Sequence, residues 1–209
     1  MRKSGFLAAV SIACLLLASC KKEAAAPVIP TVVTNTVNSL PADTIVGLVN
    51  GRPVGAGKYA FYSLESSSSI ASVDSNSKKW DIGLRGTSII INGGNSGSGN
   101  GGAFVYNGTF EELKTISADS AFKVDNAPTS YAIGSAWYSY NQATSLITPV
   151  PGKVLVIRTA NGKYAKMEIL NYYKGGATPA ASASDADKLS KQRYYTFRFT
   201  YQSNGSKNF

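Results

Sequence analysis

Histidine is missing from the entire 209-residue chain. That removes every Ser-His and Cys-His nucleophile pair, every imidazole metal site and every histidine proton shuttle at once. Cysteine is nearly missing too. The two present, Cys14 and Cys20, both fall within the first twenty residues, so disulfides, thiolate metal sites and a cysteine nucleophile are not expected in the body of the protein. Acidic residues are few, 12 against 21 lysines and arginines, and they stand apart except for Glu111-Glu112. Neighbouring residues on a strand point to opposite faces, so this pair is not suited to joint acid-base work, and scattered carboxylates make poor metal cages. These absences point away from an enzyme and away from a bound metal ion.

No apolar run is long enough for a membrane span of about 20 residues. The run from Phe6 to Ala18 follows Arg2 and Lys3 and leads into Leu17-Ala18-Ser19-Cys20. This is the order of a charged n-region, an apolar h-region and a lipobox. Residues 1–19 therefore read as a lipoprotein signal peptide and Cys20 as an acylated anchor carrying palmitate-type lipid, with the protein held at the outer membrane, on the cell surface. Residues 20–40 hold Pro27, Pro30 and no apolar period, which predicts a flexible tether, and residues 41–209 form one domain. Loss of Arg2 and Lys3 lowers the formal charge from +9 to +7. A positive balance suits a carboxylate ligand, lipid phosphates or anionic glycans. The cations are dispersed, with no basic run longer than two, and no nucleic-acid motif accompanies them.

What the domain does contain is strand after strand. Apolar and aromatic residues recur with period two between Gly, Asn, Ser and Pro, which predicts an all-β, antiparallel, sandwich-like fold with at most short helices. Tyr59, Phe61 and Ser63 share a face, and Trp80, Ile82 and Leu84 alternate with Asp81, Gly83 and Arg85, so that the acid and the base are expected to pair across the pleat. Val154-Leu155-Val156-Ile157 is apolar on both faces and predicts a doubly buried strand. Asn161-Gly162 after it suggests a type I′ hairpin turn into Tyr164–Leu170. Tyr195, Phe197, Phe199 and Tyr201 line one face of a final strand. Only 180–191 has helix-forming composition, with Ser182-Ala183-Ser184-Asp185 able to cap it.

The block from Lys79 to Arg85, followed by Ile89-Ile90-Ile91-Asn92-Gly93-Gly94 and the glycine-serine run to Ala103, resembles the signature of the HmuY family. The hairpin from Val154 to Tyr173 and the strand Tyr194–Tyr201 look like that family's last strands. The resemblance implies an all-β surface lipoprotein that binds haem between two axial histidines. The aromatic strand Gly134-Ser135-Ala136-Trp137-Tyr138-Ser139-Tyr140 matches the one preceding an axial histidine, but here it is followed by Asn141-Gln142. The segment Asp125–Tyr131, where the other histidine is expected, has none either.

Any ligand for haem or another tetrapyrrole must then come from elsewhere. The candidates are Tyr138 and Tyr140 as phenolate donors, Trp137 as a stacking surface, and Met167 as a thioether, although Met167 lies between Ala165 and Ile169 and reads more simply as core. The Gly93–Gly102 loop invites comparison with an anion nest, but it lacks a P-loop ending and reads more simply as a tight connection needing positive φ. The function expected is a non-enzymatic, surface-tethered binding lipoprotein. The alternatives are a carbohydrate-binding or adhesion module and an accessory subunit docking on an outer-membrane transporter or receptor.

Overall fold

The computed structural model describes residues 32–209. The expected signal peptide and Cys20 lie outside the described residues. Thirteen strands and one helix follow in order: β1 (Thr34–Pro41), β2 (Gly47–Val49), β3 (Arg52–Val54), β4 (Ala60–Ser63), β5 (Ser68–Ile70), β6 (Ile82–Arg85), β7 (Ser88–Ile91), β8 (Gly102–Asn107), β9 (Tyr138–Asn141), β10 (Leu146–Pro149), β11 (Lys153–Arg158), β12 (Tyr164–Tyr173), α1 (Asp185–Lys191) and β13 (Gln192–Gln202). Among the described residues no helix is long and apolar enough to cross a membrane.

The aromatic alternation of β13 organises the fold. Its inward residues Tyr195, Phe197 and Phe199 are fully buried, each contributing about 1.5–3 kcal/mol of apolar burial. β13 pairs with β1 on one side and β12 on the other, and the antiparallel sheet runs β1-β13-β12-β11-β8. Its inner face packs on a second sheet, β5-β4-β6-β7, through Tyr62, Ile82, Leu84, Ile89 and Ile91. This is the expected antiparallel sandwich-like arrangement. β11 is buried on both faces as read: Leu155 and Ile157 enter the core between the sheets, while Val154 and Val156 meet Phe110, Leu113 and Ile116 on the outer face. The short ribbons β2-β3 and β9-β10 are two-stranded sheets of their own. α1 is shorter than the segment with helical composition, and its cap is the expected kind, Ser184 Oγ accepting from Asp187 N.

Four local readings are corrected. The tether expected through residue 40 gives way to β1 at Thr34, because Val37 and Leu40 both pack on the core. A register shift between them, with Ser39 at φ 55°, breaks the two-residue period and hides the strand. The Asn161-Gly162 turn is not type I′: Gly162 has positive φ and Asn161 does not. The five-residue loop Thr159–Lys163 is held instead by Gly162 N to Thr159 O and by Ala160, whose amide goes to Asp81 and whose carbonyl accepts from Asn100 N. Trp80 does not share a face with Ile82 and Leu84. It precedes the strand and packs with Phe61 and Ile90 over Gly83, where a Cβ would press on Ile90. Asp81 and Arg85 do not pair, since β6 begins only at Ile82: Asp81 turns inward, while Arg85 stacks 4.4 Å over the Tyr59 ring and donates to Gly57 O.

Candidate functional site

The β9-β10 hairpin is built around its turn. Asn141 Oδ1 accepts from Ala143 N at 3.0 Å and Thr144 N at 3.2 Å, and Ser145 takes φ 54°. The position matched to an axial histidine thus carries a side chain closed on its own turn. The hairpin docks on the sandwich through Trp137, whose indole N–H donates to Thr87 O at 3.1 Å, and through Ile147 N, which donates to the Tyr173 hydroxyl at 2.9 Å.

The four candidate residues separate. Trp137 is buried among Tyr138, Tyr172 and Tyr195, with ring centroids 4.9–5.8 Å apart, and is core rather than a stacking surface. Met167 is completely buried, facing Leu155 and Phe199 across the sheet, the simpler of its two readings. Tyr138 is half-buried and lines a cavity of about 180 Å³ with Thr87, Ile89 and Tyr131, below the roughly 300–1,000 Å³ of small-molecule sites. Tyr140, 57% exposed, lines a cleft of about 310 Å³ between the β9-β10 hairpin, the β2-β3 ribbon and α1. The two tyrosines of one strand face open onto different cavities, as the strong twist of a two-stranded ribbon permits.

The cleft walls are Pro53, Ile147 and Leu189, with Lys188 and Gln192 beneath. Lys188 is 5% exposed, and its ammonium donates to Ala181 O at 2.8 Å. The ribbon is fastened at its base by Arg193, a non-glycine residue at φ 67° that donates to Asp43 O at 2.9 Å and Pro53 O at 3.2 Å. Beyond that base, Val46, Leu48 and Val49 are exposed. Arg52, Lys58 and Lys174 are exposed on the same end of the molecule; of the nearby acids, Asp43 and Asp187 are bridged to Arg193 and Lys191, and Asp185 in the cleft lining is exposed.

The opposite end contains the sequence signature, and there the polar groups are occupied. Asn92, fully buried, donates from Nδ2 to Ser77 O and Trp80 O and accepts from Gly99 N on Oδ1, while its carbonyl accepts from Gly101 N. Gly101 approaches the Asn92 carbonyl too closely for a side chain, and Gly93 faces the Gly101 carbonyl in the same way. These glycines serve close approach rather than positive φ, which in this run only Gly94 adopts. With the amides of Gly99, Asn100 and Gly101 all bonded, the loop is no anion nest. Asp81 accepts from Leu64 N and Ala160 N at 2.8 and 3.0 Å. Burial pushes its carboxyl above the usual range, against the pull of those two amides. Asp125, equally buried, accepts from Ile91 N and Ala132 N at 2.8 Å each.

The adjacent acids also have structural uses. Glu111 bridges Arg198, and Glu112 forms a capping box with Thr109. Burial pushes the phenols of Tyr172 and Tyr195 well above 10, so they stay neutral. Among the described residues no cluster of three metal-ligating side chains occurs. Sequence reading missed Asn92, Asp125 and Lys188. The first carries a faint signal, an Asn closing a β-branched strand before a glycine pair; the other two carry none. Haem held as the resemblance implies needs paired axial ligands, and these residues do not fit that arrangement. The chain has no imidazole, its one described methionine is sealed in the core, and its two candidate tyrosines face separate cavities.

Comparisons with known proteins bear on the family. Among curated proteins no sequence matches significantly. Solved structures with similar folds include a Bacteroides vulgatus protein described as HmuY-like and haem-binding, at 14% identity and TM-score 0.47, covering 82% of this chain and 92% of that one. A Bacteroides fragilis protein described as a lipoprotein has 14% identity and TM-score 0.47, covering 81% and 90%. The apo HmuY analogue of Tannerella forsythia has 14% identity and TM-score 0.45, covering 82% and 96%. The family model described as HmuY protein matches residues 56–183. That match spans more than half of the chain, from just before β4 through β12 to the approach to α1, and the chain belongs to the HmuY family.

Proposed function

We propose that this protein is a non-enzymatic binding lipoprotein, acylated at Cys20 and displayed at the outer-membrane surface, whose ligand site is the cleft beside Tyr140. The ligand class that family membership favours is haem or another planar tetrapyrrole, held here by stacking and apolar contact rather than by two axial ligands. The observation that carries this reading is Tyr140 itself: among the described residues it is the only exposed aromatic, and it stands over an apolar-walled cleft. Orientation supports it as well. The described chain begins beside Gln202 and Phe209, at the glycine-loop end, whereas the cleft opens beside Gln192 at the other end of β13. A tether entering at the first end leaves the cleft facing away from the membrane. A single exposed ring does not make the multi-ring platform expected of a glycan binder.

The test is an absorption titration of ferric and ferrous haem into the mature chain, alongside Tyr140→Ala, Tyr138→Phe and Met167→Ala. A saturable Soret change that Tyr140→Ala weakens at least tenfold, with the other two variants unchanged, is the expected result. Saturable binding insensitive to Tyr140, or no binding by any tetrapyrrole, contradicts the assignment of the cleft.

A further inference from the structure

Lys188 is a buried cation with no anion beside it among the described residues. It is 5% exposed, lines the cleft, and has a single hydrogen bond, to the carbonyl of Ala181 at 2.8 Å. Among the described residues no carboxylate lies within 4 Å of it; the one acid in the lining, Asp185, is exposed. An ammonium has three donors, so two remain beyond the Ala181 bond. Elsewhere on α1 a cation is treated differently, since Lys191 is paired with Asp187 at 2.8 Å and remains partly in solvent. Burying a charged group without a counter-charge is unfavourable, yet here it lies under the apolar walls of Pro53, Ile147 and Leu189.

We infer that Lys188 is the anion anchor of the cleft, so that the ligand taken there joins an apolar body lying on Tyr140 to an acid group bonded by Lys188. This rests on the assignment of the cleft as the ligand site and adds to it the chemical class that the site selects, an apolar carboxylic acid over its neutral ester or amide. The surrounding charges favour the same sign on balance, since Arg52, Lys58 and Lys174 are exposed on this end of the molecule against the one unbridged carboxylate of the cleft lining, Asp185.

The experiment compares metal-free protoporphyrin IX with its dimethyl ester, by fluorescence titration of the mature chain and of Lys188→Met, Lys188→Arg and Tyr140→Ala. Lys188→Met keeps the apolar stem and removes the charge, and Lys188→Arg restores it; thermal melts verify that each variant is folded. The inference predicts that the acid binds about 10- to 100-fold tighter than the ester, that the preference disappears in Lys188→Met and that it survives in Lys188→Arg. Equal affinity for acid and ester, or a preference that Lys188→Met leaves intact, overturns the anchor while sensitivity to Tyr140→Ala keeps the cleft. Failure of both probes to bind, or binding indifferent to Tyr140→Ala, overturns the cleft and the anchor together.

Discussion

The two ends of β13 are about 35 Å apart at the rise of a strand, and they are held together in opposite ways. At the Gln202 end, side chains of Asp81, Asn92 and Asp125 each fasten backbone groups from separate segments, and glycines let those segments touch. At the Gln192 end, two ribbons and a short helix surround a cleft, joined by fewer ties, of which Arg193 is the principal one, and leaving Val46, Leu48, Val49 and Tyr140 in solvent. The comparison separates two meanings of a recognisable motif. The Trp-Asp and glycine block is distinctive because its loops must be fastened, whereas the end proposed to take a ligand is assembled from separate segments and carries little local signature.

Substitutions at the fastened end have the largest expected effect. Asp81→Ala leaves two buried amides without acceptors and is expected to cost about 3 kcal/mol or more, since each unsatisfied group costs about 1–3 kcal/mol; Asp125→Ala removes an equivalent pair. Urea unfolding measures both, and a loss below 1 kcal/mol in either would end the claim that carboxylates hold this end together. Gly101→Ala forces a methyl group against the Asn92 carbonyl and is expected to cost about 1–3 kcal/mol, read as a lowered thermal midpoint.

Effects diminish toward the cleft. Arg193→Ala removes the ties to Asp43 and Pro53 and is expected to cost about 1–2 kcal/mol, with faster hydrogen exchange confined to residues 46–54. Exchange accelerating equally in β4 and β6 would mean that the ribbon is not a separate unit. The smallest change is expected for Tyr140→Ala and Leu48→Ser, each within about 0.5 kcal/mol of wild type as exposed positions. On the proposed assignment of the cleft, Tyr140→Ala is nevertheless expected to weaken tetrapyrrole binding, so stability and binding are expected to part company at this end.

The same contrast governs what could be read in advance. β11 and β13 were legible because burial on two faces and on one face write different patterns, a continuous apolar run and an aromatic alternation. β1 was not, because the irregularity at Ser39 places Val37 and Leu40 three residues apart on one face. An ion pair of Asp81 with Arg85 followed from reading the two as neighbours on one strand face, whereas four residues of strand span about 13 Å and Asp81 precedes the strand. The cleft had no local signature at all: it is assembled from residues 51–53, 140–147 and 185–192, and the burial of Lys188 follows from their meeting. Of the candidate ligands, residue chemistry alone could not separate Tyr140 from Trp137, because both are aromatic and only the fold shows that Trp137, just before β9, is covered while Tyr140, within it, is not.

The most direct test of the account is amide hydrogen exchange on the mature chain with and without saturating haemin. Without ligand, the amides of Leu64, Ile91, Ala132 and Ala160 are expected to exchange slowly and those of 46–54 and 142–145 quickly. With ligand, new protection is expected in the β2-β3 ribbon, the β9-β10 hairpin and α1, leaving the glycine loop unchanged. Protection appearing instead at residues 93–102, or at neither end while haemin is demonstrably bound, would contradict the division of the molecule into a fastened end and a binding end.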